Sequence, residues 1–462
     1  MLAKRPLAGE RLRPVLVPVI VALGILVGCA NPTGSDAASG AGGGGTDAGA
    51  TQVSRPLITP AEADQFLEVE VRISVAESEA TVHYTTDGSV PTTASPVFNT
   101  PIALGVGTHS VRAIAVAEGL DQSEEASRSY TVADGILVTS NADSGEGTLR
   151  QAMADADPGD EIRFASDMTI VLEGDRRGVE VDKDITVNGV GHTVIIEGSG
   201  AQRHFTHMPG GPYDLTIANL TLRKGEPRMS NLLPGGSIYI ATGSSAAIEN
   251  VTFEDNLGTN GGAIFVEQIP SQSFPKAVLD VRDSTFHNNE ARGTDTVGGA
   301  AGAGGAIYAP DTDLSLAGAT FSENFTNTGN TQLAIGSSGG ALYIGSSANL
   351  RDSGSEAAKL TVRDSSFRSN EAGRLGGAIA AEASDLDLID SIFENNRAGS
   401  FGTAELPFFG TGGAVYAFGY DNSSTLRIGL SRFLQNRAEG PANDGQGTRY
   451  FVGGAVATNT QR

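Results

Sequence analysis

The 462-residue sequence holds a single cysteine, Cys29, and no tryptophan. One thiol excludes any disulfide within the chain, so no covalent staple contributes to its stability. The missing indole removes the side chain best suited to stacking on a sugar ring. Basic residues are scarce: 31 stand against 54 acidic ones, a net charge of −23 that repels phosphate and argues against nucleic acid as a partner. The apolar run from Val15 to Val27, interrupted by Pro18, is too short to cross the hydrocarbon core of a bilayer. Glycine, by contrast, is abundant at 61 residues. With 39% hydrophobic residues spread along the chain, this points to buried cores joined by many tight turns, a repetitive β architecture and not disorder.

The short apolar run has its own meaning. Lys4, Arg5, Arg11 and Arg13 precede it and Leu26-Val27-Gly28-Cys29 closes it, the layout of a secretory signal. Its end resembles the lipobox of bacterial lipoproteins, where a small residue before cysteine admits the signal peptidase and the thiol receives a diacylglycerol. The resemblance implies a signal peptide over residues 1–28 and lipidation at Cys29, against plain secretion with a chance cysteine. Ala30 and Asn31 follow, without the Asp that resembles an inner-membrane retention signal. The expected location is therefore the cell envelope, at the outer membrane or cell surface, with the membrane as partner through the lipid. The rest of residues 29–54 is nearly all Gly, Ala, Ser, Thr and Asp, which cannot bury enough apolar surface to order itself and reads as a tether.

Residues 55–133 change to short alternating runs, FLEVEVRISV, ATVHYTTDG, HSVRAIAVA and ASRSYTV, separated by Asp87-Gly88, Pro91, Pro96, Gly105 and Gly107. Several short strands at this spacing predict a small antiparallel sandwich. Tyr84-Thr85-Thr86-Asp87-Gly88-Ser89-Val90-Pro91-Thr92 resembles the signature of the chitobiase/β-hexosaminidase C-terminal domain, with Pro101-Ile102, Val111-Arg112-Ala113 and Ser129-Tyr130-Thr131-Val132 fitting the same family. That resemblance implies an immunoglobulin-like accessory module, a spacer or a glycan contact.

Residues 134–462 are a repeat. Gly-Gly, a small residue and an aliphatic recur from Gly235-Gly236-Ser237-Ile238 to Gly453-Gly454-Ala455-Val456, seven times at spacings of 26 to 43 residues. Phe-x-x-Asn interleaves at Phe253/Asn256, Phe286/Asn289, Phe321/Asn324, Phe367/Asn370, Phe393/Asn396 and Phe433/Asn436. Three short strands and three turns per unit leave too little chain for hairpins, but enough for one coil of a parallel solenoid. The phenylalanines would stack inside, Tyr239, Phe265, Tyr308, Tyr343 and Tyr416 would form a second aromatic column, and Asn256, Asn289, Asn324, Asn370, Asn396 and Asn436 would bond amide to amide as a structural ladder. The two signals together resemble the polymorphic outer membrane protein repeat, which implies a right-handed parallel β-helix used in adhesion. Gly147 to Ala156, closed by Pro158-Gly159, is amphipathic and resembles a CSLREA-type N-terminal cap, with Gly-Thr in place of Cys-Ser. The predicted fold is thus all-β: a right-handed parallel β-helix preceded by an immunoglobulin-like sandwich.

Chemistry-bearing residues are few. Gly336-Ser337-Ser338-Gly339-Gly340 matches a nucleophile-elbow pattern but lacks the strand-to-helix context. His204 and His207 lack a third ligand, so no metal and no cofactor is expected. Asp283, Asp364 and Asp390 each precede their Phe by three residues, and Asn250 occupies the same place in another unit. In stacked coils Asp364 and Asp390 would lie about 5 Å apart, a separation found between glycosidase carboxylates. The alternative is that Asp and Asn at a turn bond their own backbone. Two functions follow from one fold. The first is a surface-displayed, adhesin-like or scaffold lipoprotein, binding a surface glycan or a host or neighbour-cell protein. The second is a polysaccharide-acting enzyme using the stacked aspartates. For the anchor, Cys29→Ser is expected to abolish labelling by a palmitate analogue and shift the protein out of the lipoprotein fraction; a wild type that resists labelling and appears in the medium replaces anchoring by secretion.

Overall fold

A computed structural model describes residues 51–60, 65–66, 69–132, 135–174, 177–228, 232–267, 275–293, 302–327, 337–345, 357–399, 410–419, 424–439 and 454–460. Cys29 lies outside the described residues. The first domain is the small sandwich. Leu57–Thr59, Val69–Ser74 and Ile102–Leu104 form one sheet, while Gln65–Phe66, Ala126–Val132, Gly107–Val116 and Thr81–Thr85 form the other. Val69, Val71 and Ile73 point into the core as Glu70, Arg72 and Ser74 face out, the alternation of a half-buried strand. Tyr130 is fully buried and its hydroxyl donates to the Pro60 carbonyl at 2.8 Å. The Asp87-Gly88 turn is built as its sequence demands. Asp87 accepts from the Ser89 amide at 3.0 Å and hydroxyl at 2.6 Å, and Gly88 takes φ +82°, where a side chain would be strained.

From Gly135 onward the chain winds into a right-handed parallel β-helix. One coil shows the plan. Ile307–Pro310 follows the paired glycines, Asp313–Ala317 carries the aliphatic alternation, Thr320–Ser322 holds Phe321, and Phe325–Asn327 follows the ladder asparagine. Repetition stacks these segments into a Gly-Gly sheet of nine strands, a Leu sheet of ten, a Phe sheet of nine and a short corner sheet of six, among the described residues. The corner sheet corrects the expectation of three strands per coil. Its inward residue, two after each Asn, is small (Ala291, Thr326, Ala372, Ala398) and fully buried, because the corner beside the ladder is narrow. Among the described residues one helix, Leu149–Asp155, interrupts the β structure, and its own Leu149, Ala152 and Met153 are buried. Thr148 caps its start, and Lys183 Nζ donates to the carbonyls of Met153 (3.1 Å) and Ala156 (2.9 Å) at its end.

The interior is columnar. Phe253, Phe286, Phe321, Phe367, Phe393 and Phe433 stack with centroids 4.6 to 4.8 Å apart and planes within 5° of parallel. Beside them runs the asparagine ladder. Asn370 Nδ2 donates to Asn396 Oδ1 (2.9 Å) and to the Phe321 carbonyl (3.0 Å), while its Oδ1 accepts from the Nδ2 (3.0 Å) and backbone amide (3.1 Å) of Asn324. All four bonding sites of the buried amide are filled. The second aromatic column differs from expectation. Tyr239, Phe265, Tyr308 and Tyr343 stack at 5.0 to 5.6 Å on the outer side of the Gly-Gly sheet, but Ala380 stands between Tyr343 and Tyr416 and breaks the run. The paired glycines divide their work. Gly304 takes φ +64°, and a Cβ on Gly305 would stand 2.0 Å from the Gly340 carbonyl in the next coil.

Deleting one rung separates these contributions. Asn370→Ala leaves the Asn324 side chain and the Phe321 carbonyl short of partners and is expected to cost about 1–3 kcal/mol. Phe367→Ala empties a buried column position, at an expected cost of about 3–5 kcal/mol. Urea unfolding checks both; unmoved midpoints would contradict coil-to-coil stacking.

Candidate functional site

Asp283, Asp364 and Asp390 sit at one corner, between the Leu and Phe sheets, and all three are exposed. Asp364 and Asp390 occupy adjacent coils, while the coil of Gly318 separates Asp283 from Asp364. Their backbone explains them. The same corner position is Asn219, Asn250, Asp283, Gly318, Asp364, Asp390 and Leu430, with φ between +47° and +66° throughout. Six of those seven are the residue types that tolerate this left-handed conformation best, so the aspartates serve a turn. In the earlier coils the same corner carries a second amide ladder, Asn250 Nδ2 to Asn219 Oδ1 (2.8 Å) and Asn219 Nδ2 to Asn188 Oδ1 (2.9 Å). The following Ser284, Ser365, Ser391 and Ser431 add a serine ladder; Ser391 Oγ accepts from the Ser365 amide at 3.2 Å and donates to the Ile389 carbonyl at 2.8 Å. The repeated Asp-Ser before Phe was its signal in the sequence.

Ser338 is a buried bridge residue between Ala303 and Leu375, its carbonyl accepting from the Gly304 amide at 2.9 Å. It stands in the solenoid wall and not at a strand-to-helix elbow. Among the described residues no group of three or more His, Cys, Asp or Glu is placed to hold a metal ion.

The two histidines lie in one strand, Phe205–His207 and its preceding residue, with different fates. His204 is fully buried and satisfied. Its Nε2 faces the Arg223 carbonyl at 3.1 Å and so carries the proton, while Nδ1 accepts from the Ser237 hydroxyl at 2.8 Å. His207, opposite Val181, is 1% exposed and neither ring nitrogen has a hydrogen-bond partner. Burial lowers the pKa of each to about 4.

His207 also lines a 410 Å³ cavity, together with Arg203, Thr206, Tyr239, Thr242 and Glu267. Arg203 is nearly buried. It donates to the carbonyls of Gly235 (3.2 Å) and Pro234 (2.6 Å) and lies 5.0 Å from the centre of the Tyr239 ring. Burial, reinforced by a hydrogen bond to Glu267, raises the Tyr239 phenol well above its ordinary value, so the hydroxyl stays protonated. The cavity thus joins the Tyr239 ring to the Thr242 hydroxyl, the Glu267 carboxylate and the guanidinium groups of Arg177 and Arg203, a lining suited to a molecule rich in hydroxyls. A second cavity of 310 Å³, lined by Arg150 and Met153 of the cap with Arg177, Glu180 and Asp182, adjoins it through Arg177. The sequence reading missed this site. Thr206, Tyr239 and Glu267 are brought together only by coil register, and the sole local hint was the polar cluster Arg203-His204-Phe205-Thr206-His207.

Residues 61–128 match the family model of the chitobiase/β-hexosaminidase C-terminal domain, in agreement with the resemblance carried by Tyr84 to Thr92. No curated protein matches the chain. Among solved structures, the family 28 exopolygalacturonase of Yersinia enterocolitica aligns over 89% of this chain and 99% of its own at 9% identity, with a TM-score of 0.22. The catalytic unit of a thermostable GH87 α-1,3-glucanase from Streptomyces thermodiastaticus strain HF3-3 aligns over 78% and 85% at 12% identity, with a TM-score of 0.19. Scores this low carry nothing about the site.

The buried histidines make acid stability a direct check. Both stay neutral in the fold to about pH 4 but protonate near 6.5 when unfolded, so their contribution is complete above pH 6.5 and lost as pH falls toward 4. Each is expected to remove about 1.4 kcal/mol per pH unit inside that window. His207→Leu is expected to lessen the slope of unfolding free energy against pH there, and to raise stability at pH 7 by about 1–3 kcal/mol by deleting unpartnered nitrogens.

Proposed function

We propose that this chain is a β-helix binding protein, displayed at the cell surface on a lipid at Cys29, whose ligand is carbohydrate. The cavity beside Tyr239 carries the reading, because it pairs apolar ring surface with the hydroxyl of Thr242, the carboxylate of Glu267 and the guanidinium groups of Arg177 and Arg203. A pyranose presents the same mixture of apolar face and paired donors and acceptors. The family match at residues 61–128, to a domain named for chitobiases and β-hexosaminidases, supports it. In this reading the tether and sandwich hold the β-helix away from the membrane, as an adhesin-like or scaffold module.

Binding is favoured over catalysis by the stacked aspartates, because Asp283, Asp364 and Asp390 are exposed turn residues that line neither cavity described above. Calorimetric titration with oligosaccharides from chitin, pectin and alginate is expected to give saturable binding without release of new reducing ends. Tyr239→Ala is expected to weaken it at least tenfold with the unfolding midpoint kept. Failure of every oligosaccharide to bind removes the carbohydrate reading; product release abolished by Asp364→Asn replaces it with the enzyme.

A further inference from the structure

Thr206 and Tyr239 belong to a longer row. The outward positions of the Gly-Gly sheet stand in register from Glu180 through Thr206, Tyr239, Phe265 and Tyr308 to Tyr343. At a strand spacing of about 4.8 Å the row runs about 24 Å along the helix axis. Both cavities lie at its N-terminal end, one lined by Glu180 and the other by Thr206 and Tyr239. Beyond them the row is aromatic and half-buried, with ring centroids 5.0 to 5.6 Å apart.

Its flank is acidic. Tyr239 lies in the field of the Glu267 carboxylate, and the Tyr343 hydroxyl donates to Glu382 Oε2 at 3.1 Å. Tyr308 lies in the field of Glu382 and Asp311. The three cations at the cavities are held by the protein: Arg203 by the Pro234 and Gly235 carbonyls, Arg177 by Glu180 at 3.0 Å and Arg150 by Asp143 at 2.8 Å. His207 is neutral at pH 7 and adds no positive charge. A polyuronate laid along this row would bring carboxylates against Glu267 and Glu382, on a chain already at −23.

Resting on the carbohydrate reading, we infer that the ligand is a linear chain of amino sugars lying parallel to the solenoid axis, its ammonium groups facing the carboxylates of Glu267 and Glu382. The row's length selects a chain over a single sugar, and its charge selects amine over carboxylate. An ammonium near ring and carboxylate gains from both, while the half-buried setting weakens screening by salt.

Full-length protein titrated with glucosamine dimer and hexamer, the N-acetylated hexamer and a galacturonate hexamer separates the possibilities. The glucosamine hexamer is expected to bind at least tenfold tighter than its dimer and than the galacturonate hexamer, and to weaken as salt rises. Glu267→Gln with Glu382→Gln is expected to erase its advantage over the N-acetylated hexamer while the unfolding midpoint stays in place. Galacturonate binding as tightly, dimer matching hexamer, or the N-acetylated hexamer matching the free amine overturns the inference and leaves the carbohydrate reading standing. Absence of binding by all four removes both.

Discussion

Coil-to-coil register at the parallel-strand spacing is the constraint on which the rest of the β-helix depends. The amide of each ladder asparagine bonds the next at 2.8 to 3.0 Å whether the two lie 26 residues apart, as Asn370 and Asn396 do, or 46, as Asn324 and Asn370 do. Extra chain is therefore absorbed elsewhere, and the rungs never stretch. A buried primary amide with four filled bonds tolerates no slip, because a shift of one residue would orphan two donors and an oxygen in a core that holds no alternative partners. The phenylalanine stack and the glycine pairs obey the same spacing: ring centroids of 4.6 to 4.8 Å match it, and Gly305 permits the backbone approach that it requires.

Register also makes the outside of the protein. Once inward columns are locked, the residue between two inward positions is repeated on the surface in an equally straight row. Tyr239, Phe265, Tyr308 and Tyr343 line up for this reason, while Glu267 and Asp311 follow their strands directly and Glu382 ends its own. At the capped end the pattern loosens. Thr206 replaces a ring, Arg203 covers the face of Tyr239, and His207 takes an inward place among aliphatics, so packing is incomplete and a cavity remains. Irregularity in the early coils is thus the physical source of the cavity, since perfectly repeated coils would have filled it with side chains.

The aspartates show how repetition can imitate a site. Asp364 and Asp390 stand one coil apart, but φ near +48° at both explains their residue type without any chemistry. Identical residues in neighbouring coils answer to stacking first; what departs from the repeat, such as Arg203 or His207, calls for another explanation.

By itself the sequence determined the parts of this protein that rest on local chemistry and strict repetition. Gly-Gly-Ala-Ile and Phe-x-x-Asn announced a solenoid with an inner ring column and an amide ladder, because only stacking makes such identities worth repeating. Asp87-Gly88-Ser89 likewise marked the sandwich, since its turn is closed by bonds within three residues. The tertiary structure decided what depends on residues far apart in the chain. It showed the corner sheet after each Asn, the break of the outer ring column at Ala380, and the cavity that joins Thr206, Tyr239 and Glu267. Those outcomes turn on which coil lies beside which, and insertions of unequal length hide that pairing from any reading of spacing. Backbone hydrogen bonds between coils set it, and they become visible only when the chain is wound.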